Sequence, residues 1–305
     1  MILLQQMMVL FLYMLIGYFA CKKGKFDEVF SKKISWLVVD VANIAMVISA
    51  AINSDGSIEG KDLVITLVLA VCVFAILIAV ATVMPFIYRF PEDEKGIYQS
   101  MMVFNNIGFM GYPIISAAYG TSALLYAVIF SILFNILVYT YGIQIVRMDK
   151  GASEGLKLTS IVTNVGVLSS FLALFLYIMQ IPMPQFIKSA ASGLSNLTSP
   201  LSMMVIGISL CQMPLKKLFS DMRLLIYCLI KLLAIPIVGM FIIQQFVTND
   251  LLLHVCMVIL ATPVASMTVM LAEQYDGNED LAARAVALST LLSVVTIPIV
   301  SAVVF

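Results

Sequence analysis

The spacing of charged residues constrains this chain more than any other feature. Residues 1–21, 63–88, 96–146, 158–187, 189–215, 251–272 and 285–305 contain no Asp, Glu, Lys or Arg, and 34–54 and 224–249 contain one each, Asp40 and Lys231. An ionised group near the centre of a bilayer costs at least ~2.5–3.5 kcal/mol, and ~20 apolar residues cross the hydrocarbon core, so these runs are predicted as membrane helices. The run 96–146 holds 51 residues, about 75 Å if it were one helix. It is therefore predicted to reverse at Ala118-Tyr119-Gly120-Thr121-Ser122. The expected fold is an all-α polytopic membrane protein of ten spans. Composition agrees: 62% of residues are hydrophobic and 11% charged, against about 45–50% and 25% in soluble domains.

Lysines and arginines in the connections set the orientation. With ten spans, fourteen basic residues fall on one side and two, Lys61 and Lys188, on the other, while Lys231 sits inside a span. Both termini are thus expected outside the cytoplasm, in a multi-pass inner or plasma membrane protein. The N-terminal run lacks a basic leader and is followed by lysines, so it is read as a retained span. Net charge is zero, so no basic excess points to nucleic acid. The five cysteines form no C-x-x-C pair and read as small buried apolar residues.

The most polar central connection divides the chain into 1–147, a cytoplasmic linker at 148–160, and 161–305. Each half holds five spans, an odd number, so the second half enters inverted, as in transporters whose site lies at the repeat interface. Spans 4 and 9 carry helix breakers in matching places. Span 4 reads Asn105-Asn106-Ile107-Gly108-Phe109-Met110-Gly111-Tyr112-Pro113, and span 9 reads Ala261-Thr262-Pro263-Val264-Ala265-Ser266-Met267-Thr268. Proline removes a donor and frees a carbonyl, and bare backbone at membrane depth must be satisfied by protein or a water-filled cavity. Half-helix N-termini there attract an anion, and freed carbonyls suit a cation. The candidate substrate-binding residues are Asn105, Asn106, Gly108, Gly111, Tyr112 and Pro113 in span 4, Thr262, Pro263 and Ser266 in span 9, and Asn43 in span 2.

Asp40 and Lys231 lie roughly 9 and 12 Å from the cytoplasmic ends of spans 2 and 8, depths compatible with a pair. A carboxylate in apolar surroundings can carry a proton, which makes both residues candidates for coupling to H+ or Na+. His254, near the outer end of span 9, is given no role, and the scattered methionines read as packing. No metal site or cofactor is expected. Nor is catalysis: G-x-x-x-x-G-K-[ST], H-E-x-x-H and G-x-S-x-G motifs are all missing.

The span 4 motif, with Ser199-Pro200-Leu201-Ser202-Met203-Met204-Val205-Ile206-Gly207-Ile208-Ser209-Leu210, Ala261-Thr262-Pro263 and Leu288-Ser289-Thr290-Leu291-Leu292-Ser293, resembles the auxin efflux carrier family, especially its bacterial, malate permease-like members. The resemblance covers nearly the whole chain. It implies ten helices in two inverted five-helix repeats, with spans 4 and 9 broken and crossing at Pro113 and Pro263, a fold shared with bile acid sodium symporters. It also implies a substrate carboxylate at Asn106 and a homodimer. Span 2 departs from the bacterial pattern, with Asn43-Ile44 in place of Asn-Pro and Asp40 in place of a neutral amide. The expected function is secondary active transport of a small organic anion, a carboxylate such as malate or an auxin-like acid, by elevator or rocking alternating access around spans 4 and 9. Spans 1, 2, 6 and 7 would form the scaffold. The alternatives are a passive channel-like facilitator and a sodium-coupled symporter of bile acid-like anions.

Overall fold

The computed structural model describes residues 2–53, 60–91, 94–148, 165–212, 218, 221–275 and 277–305. From Asp149 onward the expected linker 148–160 lies outside these residues, as do Lys216, Lys217 and Asp276. Among the described residues there is no strand, only helices α1 (Ile2–Lys22), α2 (Glu28–Leu37), α3 (Asn43–Ile52), α4 (Gly60–Tyr88), α5 (Lys95–Val103), α6 (Tyr112–Tyr119), α7 (Leu124–Leu137), α8 (Ile143–Met148), α9 (Val165–Met179), α10 (Gln185–Ser195), α11 (Thr198–Cys211), α12 (Met222–Leu229), α13 (Ile235–Ile243), α14 (Asp250–Ala261), α15 (Met267–Gln274) and α16 (Glu279–Val304). Four π turns, Val38–Ala42, Ile107–Gly111, Val138–Gly142 and Ile230–Ala234, lie between neighbours in this series.

Among the described residues, seven helical stretches are long and apolar enough to cross a membrane: Gln5–Lys22, Val29–Ile52, Gly60–Tyr88, Leu124–Arg147, Gln185–Cys211, Met222–Ile243 and Glu279–Val304. Three shorter apolar helices, Ile107–Tyr119, Val165–Met179 and Asp250–Ala261, accompany them. The expected reversal within 96–146 is present: α6 ends at Tyr119, and Gly120 takes φ +87°, a conformation that only glycine adopts without strain. The turn after α9 comes earlier than the charges suggest. Gln180 takes φ +48° and α10 starts at Gln185, so Lys188 lies in a helix and not in a connection.

Several helices begin where an Asp or Asn can accept an orphan backbone N–H. Asp27 accepts from Phe30, Asp221 from Leu224, Asn249 from Leu252 and Asn278 from Leu281. Two of the π turns come just before a proline. The Tyr112 N–H bonds Ile107 O ahead of Pro113, and the Ile235 N–H bonds Ile230 O ahead of Pro236. Widening the turn there lets the helix run on through a residue that cannot donate.

The burial pattern is the reverse of a soluble protein's. α5 and α14 are almost entirely buried, whereas α1, α4, α9 and α13 present Leu12, Ile16, Phe86, Phe171, Phe175 and Phe241 outward, an apolar exterior that suits lipid. Cys72 is on this exposed face of α4, not in the interior expected of it, and Cys21 and Cys211 are half-buried; only Cys228 and Cys256 are fully inside. Pairing between helices is patterned. α1 packs on α11 and α16, α9 packs on α3 and α7, α4 packs on α5 and α7, and α13 packs on α14 and α16. α1 and α11 meet backbone to backbone. A Cβ at Gly17 would lie 2.2 Å from Met204 O, and one at Gly207 would lie 2.0 Å from Met14 O.

Polar side chains tie the helix ends together. At one end Asn249 donates to the Asp62 carboxylate at 2.9 Å and to the Tyr126 hydroxyl at 3.1 Å. Asp62 lies inside the first turn of α4, not ahead of it as the apolar run suggested. At the other end Arg284 bonds Asp221 at 3.0 Å and Asp280 at 2.8 Å, which ties α16 to the cap of α12.

Candidate functional site

Two helices stop inside the protein. α5 ends at Val103, and the chain is extended through Phe104 to Asn106 before the turn Ile107–Gly111 leads into α6. α14 ends at Ala261, and Thr262 to Ser266 precede α15. The two interruptions meet as a single antiparallel bridge, Asn105 opposite Val264. Asn106 N–H donates to Pro263 O at 2.8 Å, and Ala265 N–H donates to Phe104 O at 2.9 Å. Backbone groups that neither half-helix can satisfy are thus satisfied by the other interruption, so bare backbone is tolerated at this depth. Pro263 flanks the bridge. Pro113 does not, being eight residues past Asn105, where the π turn Ile107–Gly111 carries the helix on through a residue that has no N–H.

Around the bridge the structure assembles most of the sequence-derived candidates. Asn106 caps the following turn, its side-chain oxygen accepting from Phe109 N–H at 3.2 Å. The nitrogen of the same amide is buried without a hydrogen-bond partner. Gly108 faces Asn43, where a Cβ would come 3.3 Å from the Asn43 amide nitrogen, and the Asn43 amide oxygen is likewise buried and unpartnered. Gly111 faces the Thr262 methyl, 3.6 Å from where a Cβ would stand. Tyr112 points to α7 instead, its hydroxyl donating to Ser131 at 2.6 Å. Ser266 is half-buried, and its carbonyl accepts from Val269 N–H at the start of α15.

The two charges inside spans are placed differently from each other. Asp40 lies half-buried in the turn Val38–Ala42. Lys231, in the turn Ile230–Ala234, is 1% exposed and among the described residues is the one fully buried charged side chain. Its ammonium donates to Met102 O at 3.1 Å and to the Asn105 side-chain oxygen, so its partners belong to the first interruption and not to Asp40. It does not snorkel to an interface, the ordinary fate of a lysine in a span.

The second interruption is closed by neutral groups. Thr262 Oγ1 donates to Ile259 O at 2.7 Å, and the Val264 N–H donates to the Ser289 hydroxyl at 3.1 Å. Ser293, also on α16, points its hydroxyl at the Met110 sulfur at 3.5 Å. Ser289 and Ser293 belong to the Leu288–Ser293 motif, but nothing in that motif tells which backbone group each serine serves. His254 stacks on Phe305 with ring centroids 4.1 Å apart, and its Nδ1 lies 2.7 Å from Asp250 O, a structural placement.

Among known proteins, the family model described as membrane transport protein matches residues 2–301. An uncharacterized transporter of Methanocaldococcus jannaschii is 26% identical over 302 residues, covering 95% of each chain. A match of that extent, over a chain whose broken helices meet at the motif that first suggested it, makes this protein a member of the membrane transport protein family, the auxin efflux carriers.

Proposed function

We infer that this protein is a secondary active transporter of a small organic anion, a carboxylate such as malate or an auxin-like acid, working by alternating access. The observation that carries this reading is the crossing at Asn105 and Val264, with the Asn106 amide nitrogen buried beside it and unpartnered. An unpaired buried donor costs about 1–3 kcal/mol, a cost that a bound carboxylate oxygen removes. The turn that starts α6 adds the positive end of a half-helix. The Asn43 oxygen is an acceptor close by, suited to a hydroxyl or a protonated acid.

The seven long stretches, Val165–Met179 and the two interrupted segments count as ten spans in this reading. Packing supports an inverted repeat: shifting each span number by five maps α1 on α11 to α9 on α3, α1 on α16 to α9 on α7, and α4 on α5 to α13 on α14. On that scheme α1, α2–α3, α9 and α10–α11 form the scaffold, and the crossed segments rock or slide against it. Asp40 and Lys231 are the coupling candidates, the termini face outward from the cytoplasm, and a homodimer is the expected assembly.

The test is uptake of labelled malate into proteoliposomes under separately imposed proton and sodium gradients, for wild type, Asn106→Ala and Asp40→Asn. Accumulation against the malate gradient that is lost in Asn106→Ala is the expected outcome. Loss of proton dependence in Asp40→Asn would assign that coupling. Passive equilibration by wild type would make the protein a facilitator. Folded wild type that moves no malate would remove the carboxylate assignment.

A further inference from the structure

The carboxyl end of α5 stops at Val103 inside the protein, and the carbonyls of its last turn after Ser100, whose O accepts from the Phe104 N–H, have no partner within the helix. Such an end carries partial negative charge, and freed carbonyls of this kind are where transporters hold a coupling cation. Here a side chain already occupies the place. Lys231 reaches in from the turn Ile230–Ala234 and gives its ammonium to Met102 O and to the Asn105 side-chain oxygen, one backbone and one amide oxygen of the type a small cation takes as ligands. The matching end of α14 has no such cation. There Val258 O accepts from the Thr262 N–H and Ile259 O from the Thr262 hydroxyl, Pro263 O just beyond the helix accepts from the Asn106 N–H, and α4, the span matching the one that carries Lys231, has no charged residue between Asp62 and Arg89.

We propose that Lys231 is a covalently tethered cation, standing where a free alkali ion would otherwise bind Met102 O and the Asn105 amide oxygen, so that the first interruption is charged from within the chain and takes no sodium at this position. The inference deepens the carrier reading and rests on it for its role in transport. Its chemistry is local: a long stem keeps one positive charge at a half-helix end.

Thermal unfolding of the purified protein tests this without any transported substrate, so its result stands apart from the malate experiment. Wild type, Lys231→Ala and Lys231→Met are compared in sodium, lithium, methylammonium and N-methylglucamine chloride at equal ionic strength. Wild type should show the same Tm in all four salts. Lys231→Ala should lose about 5 °C or more in N-methylglucamine and regain most of it, saturably, with methylammonium or a small alkali cation, which enter the space the side chain leaves. Lys231→Met fills that space with an apolar stem and should be lowered and unresponsive. Should Lys231→Ala fold too poorly for a melt, recovery of monodisperse protein purified with and without methylammonium gives the same reading. The proposal is overturned if Lys231→Met matches wild type, if no small cation restores Lys231→Ala, or if sodium raises wild type as much as it raises that variant.

Discussion

The two helix interruptions solve the same problem with different chemistry. Each leaves a half-helix ending inside the protein, and each lends backbone groups to the bridge between Asn105 and Val264. The second is completed by short neutral hydroxyls: Thr262 turns back onto its own helix, and Ser289 reaches across from α16. The first is completed by a buried ammonium and two adjacent amides, and the Asn106 amide nitrogen is still left without a partner. Ser, Thr and backbone partners complete the second break with neutral groups, although the Thr268 hydroxyl of that motif and the Thr290 hydroxyl next to Ser289 are buried without partners. Charge and an unpaired amide give a first break that is poised for a ligand. On the proposed carrier reading the anion belongs to the first interruption and the second is its structural counterpart, so equivalent substitutions on the two sides should differ in size.

The largest effect is expected from breaking what the two share. In Ala265→Pro the N–H that bonds Phe104 O is gone at a buried position, and the ring has no room in the bridge. A cost of about 3 kcal/mol or more is expected, read as loss of monodisperse protein or a steep fall in Tm. Next comes the polar side of the first break. Asn105→Ala leaves the Lys231 ammonium with Met102 O alone in a site that excludes water, and about 2–3 kcal/mol should be lost. Restoring much of it by combining Asn105→Ala with Lys231→Met would show that the penalty is an uncompensated charge. On the other side, Ser289→Ala leaves the Val264 N–H unpaired, with an expected loss of about 1–2 kcal/mol by thermal or denaturant unfolding. If Ser289→Ala cost more than Asn105→Ala, the asymmetry drawn here would be reversed.

Much of this comparison could be read in the chain itself, and what could not has a physical reason. Spans are legible because one charge in hydrocarbon is so costly that Lys22, Asp62, Arg89 and Arg147 mark boundaries to within a few residues. Both interruptions are legible because Asn, Gly and Pro clustered in an apolar run have few other uses. The partner of Lys231 was not legible. Depth along a helix follows from 1.5 Å per residue, but azimuth depends on which neighbour the helix packs against, and Tyr227, four residues before Lys231, already faces α5 by donating to Tyr98 O. Depth alone sets Lys231 level with Asp40, whereas the face it shares with Tyr227 brings it to Met102 and Asn105. The close contact of α1 with α11 was hidden for a related reason. Gly207 lies in a recognisable motif, but Gly17 is a lone glycine in an apolar helix, and only the fold brings it against Met204.

Thr262→Val should have the smallest effect, and it bears most directly on whether the second break is structural. The Thr262 hydroxyl is fully buried and donates to Ile259 O three residues earlier. That carbonyl belongs to the last turn of α14, where Pro263 supplies no N–H, so valine leaves a carbonyl short of a donor, a state that folded proteins tolerate more often than an orphaned buried N–H. Valine keeps the shape, including a methyl for the Thr262 Cγ2 that lies against Gly111. A stability loss below about 1 kcal/mol is expected, with malate flux within about twofold of wild type, since 1.4 kcal/mol in a barrier is a factor of ten. Asn106→Ala, a truncation at the same crossing, is expected to abolish flux. Flux in Thr262→Val reduced as far as in Asn106→Ala, with the fold intact, would mean that both interruptions contact the anion and that the neutral side is a second half of the site.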